Sequence, residues 1–261
     1  MTDRWWGHFE LAEGVAGRWQ VGPLALRIEH RPDEWFVQHQ LGTDPLATEF
    51  AVNVPASGGP ELLGHAIRFA SALTASTLIL RPALADRPIV ARPTVPLVVP
   101  AGESVGLFVG SPAWLQLGWA DQPETLLELA TFRPSDTWFG PSPAEGELCY
   151  ATRTGARLRL DESAVRPGRV ITAVTVTNEG QGALSIEHIK LPVPQLTLHA
   201  SADGQLWSQA MHFRRGHDDD HAEVHLSEGP PAEAGGTVRV AEARRGAEGN
   251  AFQRTLSALL S

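Results

Sequence analysis

Cysteine is almost missing from this 261-residue chain. Cys149 stands alone, which excludes an intrachain disulfide and a cysteine zinc cage built within one chain. Lysine is nearly missing too: Lys190 is the only one against twenty arginines, and the net charge is −9. Phosphate backbones are held by cations that displace counterions, so nucleic acid is not an expected partner. No apolar run approaches the roughly 20 residues that a membrane-spanning helix requires. The opening residues, Met1-Thr-Asp-Arg-Trp-Trp-Gly-His, carry neither the apolar core nor the small-residue cleavage site of an export signal. Together with the lone cysteine, this leads to the expectation of a cytoplasmic protein that does not span a membrane. Also missing are a G-x-S-x-G elbow, a P-loop and a G-x-G-x-x-G turn, so no assembled catalytic motif points to an enzyme and no cofactor is expected.

What the chain has in quantity is turn chemistry. It holds 25 glycines and 20 prolines with no fixed period, set in a sequence that is 43% apolar and 20% charged. Many turns imply many short strands. Leu24, Leu26 and Ile28 alternate with Ala25, Arg27 and Glu29, the period of two of a strand with one face in a core. Val170, Thr172, Val174 and Val176 alternate in the same way within 169–177, and Asp203-Gly204 marks a hairpin turn. The spacing after residue 140 gives about seven strands in roughly a hundred residues, a sandwich density.

The sequence therefore predicts a mainly β fold of two β-sandwich-like domains, 1–140 and 141–261, with the boundary in the Pro/Ser/Gly-rich stretch 133–146 and an immunoglobulin-like C-terminal half. Pro88, Pro93, Pro96 and Pro100 make 87–100 an edge strand or an extended polyproline-like segment. Periodicity does not decide between helix and strand for 124–132. A short C-terminal helix is expected, with Asn250 as N-cap and Phe252, Leu256, Leu259 and Leu260 on one face.

Two segments stand out as sites. In His212-Phe-Arg-Arg-Gly-His217-Asp-Asp-Asp-His221-Ala-Glu-Val-His225, four of the ten histidines lie within fourteen residues. Imidazole and carboxylate ligate divalent metals, and a strand after His221 would put His221, Glu223 and His225 on one face. His217, Asp219, His221 and His225 are thus the metal candidates, for a metal-binding protein or a metal-dependent hydrolase. The plainer reading is a solvated loop between strands, since runs of like charge favour water and aspartates favour turns. The second segment is Ser135-Asp136-Thr-Trp138-Phe139-Gly140, near the only Cys and the only Tyr of the chain. Asp136, Trp138 and Phe139 are candidates for binding a ligand or partner, because aromatics supply much contact area at little entropic cost. The plainer reading is that these rings fasten two domains. Seven of the eight tryptophans fall in the first 140 residues, which also raises a small-molecule or carbohydrate-binding module. Cys149, between Leu148 and Tyr150, reads as a buried, inert thiol.

The segments Arg92-Pro-Thr-Val-Pro-Leu-Val-Val-Pro-Ala-Gly-Glu-Ser-Val, Ser135-Asp-Thr-Trp-Phe-Gly and Gly146-Glu-Leu-Cys-Tyr-Ala resemble an uncharacterised prokaryotic family of domain-of-unknown-function proteins. The resemblance covers most of the chain. It implies a gene neighbourhood shared with small-conductance mechanosensitive channels, hence an accessory role toward the soluble domain of a membrane channel, and it transfers no catalytic residue. The composite expectation is a non-enzymatic protein with a binding or accessory role, whose partner is another protein or a second copy of itself.

Overall fold

A computed structural model of the chain describes residues 4–56, 61–70, 76–120, 124–140, 142, 144–160, 166–217, 221–246 and 251–255. The fold is mainly β. Helical structure among the described residues is confined to two single 3-10 turns, Val193–Gln195 and Ala232–Ala234. The chain divides into two compact units, each assembled from separated stretches: residues 1–83, 113–133 and 166–168 form the first, and 84–112, 134–165 and 169–261 the second.

The first unit holds two antiparallel sheets. One runs in the order Phe50–Asn53, Ala16–Val21, Leu24–Arg31, Glu34–Leu41 and His65–Ala70. The other runs Gly7–Glu10, Thr77–Ala83, Trp114–Trp119 and Thr125–Ala130. The expected alternation holds in Leu24–Arg31, where Leu24, Leu26 and Ile28 are buried and Ala25, Arg27 and Glu29 are partly exposed. Aromatic rings join the two inner faces. Phe9 meets Trp19 edge-on at 5.1 Å between centroids, and Trp35 meets Trp119 at 5.0 Å. Each tryptophan takes roughly 150–250 Å² out of water, worth about 4–6 kcal/mol of transfer free energy before ordering entropy is set against it. Residues 125–130, which periodicity left undecided, are a strand because Trp114–Trp119 offers them an antiparallel hydrogen-bonding edge, irregular only at Leu117/Gly118.

The second unit is organised by Arg169–Asn178, its longest strand. On one side it pairs antiparallel with Ser104–Pro112 over nine residues. On the other it pairs in parallel first with Leu206–Ser208 and then with Met211–Arg215. The sheet extends through Leu198–Ser201 and Thr237–Ala241 in one direction and through His221–Leu226 and Ala251–Thr255 in the other. A second sheet of this unit has the order Ser135–Phe139, Glu147–Thr154, Ile89–Pro93 and Ile189–Leu191, and Leu97–Val99 forms a separate pair with Leu184–Ile186. The Asp203-Gly204 turn closes a hairpin between Leu198–Ser201 and Leu206–Ser208, with Gly204 at φ +84, a left-handed conformation that glycine adopts without a Cβ penalty.

Two expectations are corrected. The proline-rich stretch is an edge only in its second part: Leu97–Val99 has a partner on one side, Leu184–Ile186, whereas Ile89–Pro93 sits between Glu147–Thr154 and Ile189–Leu191. Pro88 precedes this strand and Pro93 ends it, so neither removes an interior donor, and the Pro88 carbonyl accepts the Tyr150 N–H at 2.9 Å. The C-terminal helix is also replaced, over Ala251–Thr255, by a strand paired antiparallel with His221–His225. An isolated helix of this length is marginal in water, whereas the open edge of His221–Leu226 satisfies the backbone of an extended partner directly. Leu256, Leu259 and Leu260 lie outside the described residues.

Asn178 ends the central strand and is fully buried. Its amide Nδ2 donates to the carbonyls of Val99 (2.9 Å), Pro100 (3.1 Å) and Gly182 (2.9 Å), and its Oδ1 accepts from the Gly180 N–H and from Arg215 Nη1. Asn178→Ala leaves buried carbonyls and part of a guanidinium without this partner. The expected loss is roughly 2–4 kcal/mol in urea unfolding, and a loss below about 1 kcal/mol would show that the amide does not hold this corner.

Candidate functional site

Backbone register sets the side chains of the second unit's smaller sheet into two faces. Asp136 opposes Tyr150 and Trp138 opposes Leu148, while Thr137 opposes Cys149 and Phe139 opposes Glu147. Directly opposed residues share a face and successive residues alternate. One face of the edge strand Ser135–Phe139 thus carries Asp136 and Trp138 with Leu148 and Tyr150. Phe139 turns to the other face, where its ring lies 5.9 Å from that of His188. The three candidates of this segment are therefore divided, two to one.

On the first face Trp138 is 53% exposed and Leu148, directly across from it, 44% exposed, although both are large and apolar. The Trp138 indole N–H donates to the Ser142 carbonyl at 3.3 Å, which fixes the ring's orientation. Arg87 and Asp86, just before Ile89–Pro93, reach the same face. Arg87 Nη1 donates to Asp136 Oδ1 at 3.2 Å, its guanidinium lies over the Tyr150 ring 5.4 Å from the centroid, and the Tyr150 hydroxyl donates to Asp86 Oδ1 at 2.9 Å. The result is an apolar pair beside a half-exposed network of two carboxylates and one guanidinium. The sequence placed Leu148 and Tyr150 near the candidate segment, but nothing in it pointed to Asp86 or Arg87. Their convergence depends on the 136–150 pairing and on the parallel pairing of Tyr150 with Ile89.

The opposite face is more deeply covered at Cys149 and Lys190. Cys149 is buried, and burial together with the charge of Glu147 pushes its thiol up to about 11, with the charge of Lys190 acting against them. Lys190, the only lysine, is also buried and forms an ion pair with Glu147. Such a thiol carries almost no thiolate at neutral pH, which removes the nucleophilic form.

The histidine-rich segment is partly described. His217 is exposed; Asp219 lies outside the described residues, as does the side chain of His221. Residues 221–226 are a strand, in which Glu223 and His225 share a face. His212 is the register partner of His225, and Arg214 that of Glu223. Arg214 Nη2 donates to Glu223 Oε2 at 2.7 Å, with Glu179 at 3.8 Å on its other side, and His225 Nε2 is 3.5 Å from Glu223 Oε2. Among the described residues no group of three or more His, Cys, Asp or Glu side chains is set to hold a metal ion.

The chain matches, over residues 5–260, the family described as protein of unknown function (DUF432). It belongs to that family. Nearly the whole of this DUF432 chain is covered, so both units fall within the family's extent. No curated protein and no solved structure matches it.

Two outcomes follow from these environments in this DUF432 chain. Cys149 is expected to react with Ellman's reagent at pH 8 only after unfolding in urea; rapid labelling of the folded protein would contradict its burial. His199 is buried, 2.9 Å from the Thr197 hydroxyl, and burial followed by the charge of Arg239 lowers its pKa, opposed by Glu242. The folded state therefore resists a proton that the unfolded chain takes up near the ordinary value of 6.5. Its contribution to stability is complete above that value and declines as pH falls below it, until the lowered folded pKa is reached. His199→Gln is expected to lose less urea stability than the unaltered protein between pH 7.5 and pH 5.5, and equal losses would remove His199 from the pH response.

Proposed function

We propose that this protein has a non-enzymatic binding role, and that it engages a polypeptide partner through the face carrying Trp138, Leu148, Arg87, Asp136 and Tyr150. The observation behind this reading is the pairing of Trp138 and Leu148, two large apolar side chains held in water by adjacent strands when the rest of that sheet buries its aliphatic residues. Tryptophan and arginine are among the residues on which protein interfaces concentrate their binding energy, while the buried Tyr150 holds Asp86 and Arg87 in place beneath them. Ser135–Phe139 also has a strand neighbour on one side only among the described residues, so its outer backbone groups suit an added strand. The two carboxylates exceed the single guanidinium by one charge, which favours a partner presenting an apolar anchor flanked by a basic side chain.

A protein partner is favoured over a sugar because the exposed ring is bordered by Leu148 rather than by free hydrogen-bonding groups, and its own N–H is occupied. The lone buried thiol supports a reducing, cytoplasmic location. The partner is then a soluble protein, a second copy of the chain, or the cytoplasmic domain of a membrane protein such as a channel.

A photo-cross-linking residue placed at position 138 in living cells tests the reading, with the exposed position of Leu63 as control. A discrete adduct is expected from position 138 and not from position 63, and mass spectrometry of the membrane and soluble fractions assigns it to one of the three partners. Leu148→Asp is expected to weaken the adduct about thirtyfold, the equivalent of one interface hot spot of roughly 2 kcal/mol. No adduct, or one indifferent to Leu148→Asp, would remove this face from the function.

A further inference from the structure

Among the described residues, two places set histidines opposite one another on neighbouring strands. At the first, in the second unit, His212 and His225 are register partners, but the adjacent carboxylate of Glu223 is already held by Arg214 at 2.7 Å, and that guanidinium opposes an incoming cation. The second place is in the first unit and is free of this conflict. His39, on Glu34–Leu41, is the register partner of His65, the first residue of the edge strand His65–Ala70. The two rings lie 5.4 Å apart between centroids, with planes inclined by 30°.

That separation has a chemical meaning. A metal bound by imidazole sits about 2.0–2.1 Å from the nitrogen, hence about 3.2 Å from the ring centre, and two such rings at a tetrahedral angle have centres about 5.2 Å apart. A right-angle pair, as in square-planar or octahedral coordination, has centres about 4.5 Å apart, so the observed spacing lies close to the tetrahedral value and the rings must approach by up to about 0.9 Å to share one ion. His39 is half-buried on the apolar side of its sheet, in register with Leu26 and two residues from Val37, whose own partner is Ile67. His65 is exposed, which leaves an entry path.

We propose that His39 and His65 form a two-imidazole site for a divalent transition-metal ion of the Cu²⁺, Ni²⁺ and Zn²⁺ class, and that the ion clips the edge strand His65–Ala70 to Glu34–Leu41. Imidazole suits these ions and not Mg²⁺ or Ca²⁺. No third His, Cys, Asp or Glu joins the pair among the described residues, so water or an exogenous ligand completes the coordination. The site lies in the other unit from Trp138 and does not depend on the partner-binding reading.

The test is urea unfolding of the full chain, purified without a polyhistidine tag, with added NiCl₂, ZnCl₂ or MgCl₂. Nickel and zinc are expected to raise the unfolding midpoint and magnesium to leave it unchanged. At one hundred times the dissociation constant, the apparent unfolding equilibrium constant falls about a hundredfold. His39→Asn and His65→Asn each abolish the shift, and the double variant His212→Asn/His225→Asn retains it. Calorimetric titration of His65→Asn with nickel, after circular dichroism has shown it folded, is expected to give no one-to-one binding. A shift that survives both His39→Asn and His65→Asn, or that disappears in the His212→Asn/His225→Asn variant, means an adventitious ion only and overturns the proposal. Absence of any shift in the unaltered protein overturns it equally.

Discussion

The second unit depends on the hydrogen bonding of one strand, Arg169–Asn178. An interior strand must satisfy donors and acceptors on both sides, and this one does so with three partners: Ser104–Pro112 along one side and two shorter strands in succession along the other. The change from Leu206–Ser208 to Met211–Arg215 on that second side requires an interruption at Gln209-Ala210, whose backbone groups bond to Thr197, Ser227 and Gly229 instead. At the strand's end the buried amide of Asn178 replaces main-chain partners for three carbonyls. Sheet continuity, and with it the position of His212 against His225, follows from how this strand's backbone is paired.

The proposed binding face results from the same constraint in a smaller sheet. Ile89–Pro93 is paired in parallel with Glu147–Thr154 and antiparallel with Ile189–Leu191, which brings Asp86 and Arg87 beside Tyr150 and Asp136 from more than forty residues away in sequence. Alternation then separates chemistry by face. Cys149 and Lys190 are buried, with Lys190 paired to the partly exposed Glu147, and Trp138 and Leu148 are left in water. Such a half-exposed ion pair contributes little net stability, yet removing Glu147 leaves the buried Lys190 without this counter-charge. In the first unit, the rim of the five-stranded sheet holds His39 and His65 where the inner face meets solvent, and that position alone makes one ring half-buried and the other accessible.

Much of the secondary structure was legible along the chain. The alternation of Leu24, Leu26 and Ile28, the β-branched run 169–177 and the Asp203-Gly204 turn all act over a few residues, where side-chain direction and backbone preference suffice. The helix expected from Asn250 and Phe252 failed for a non-local reason. Its apolar spacing was real, but the edge of His221–Leu226 supplied main-chain partners that no periodicity reveals. The prolines of 87–100 marked an edge correctly at Leu97–Val99 but not at Ile89–Pro93, since what matters is whether a proline interrupts a pairing, and Pro88 and Pro93 flank one.

The sequence by itself determined the β class, the scarcity of thiol and ammonium chemistry, and the alternation that assigns Glu223 and His225 to one face, because each is a property of composition or of neighbours within a strand. Only the tertiary structure decided that Asp136 and Trp138 share a face with Leu148 and Tyr150 while Phe139 does not, and that His39 meets His65. Register is a relation between strands distant in sequence, and a shift of one residue would exchange every face.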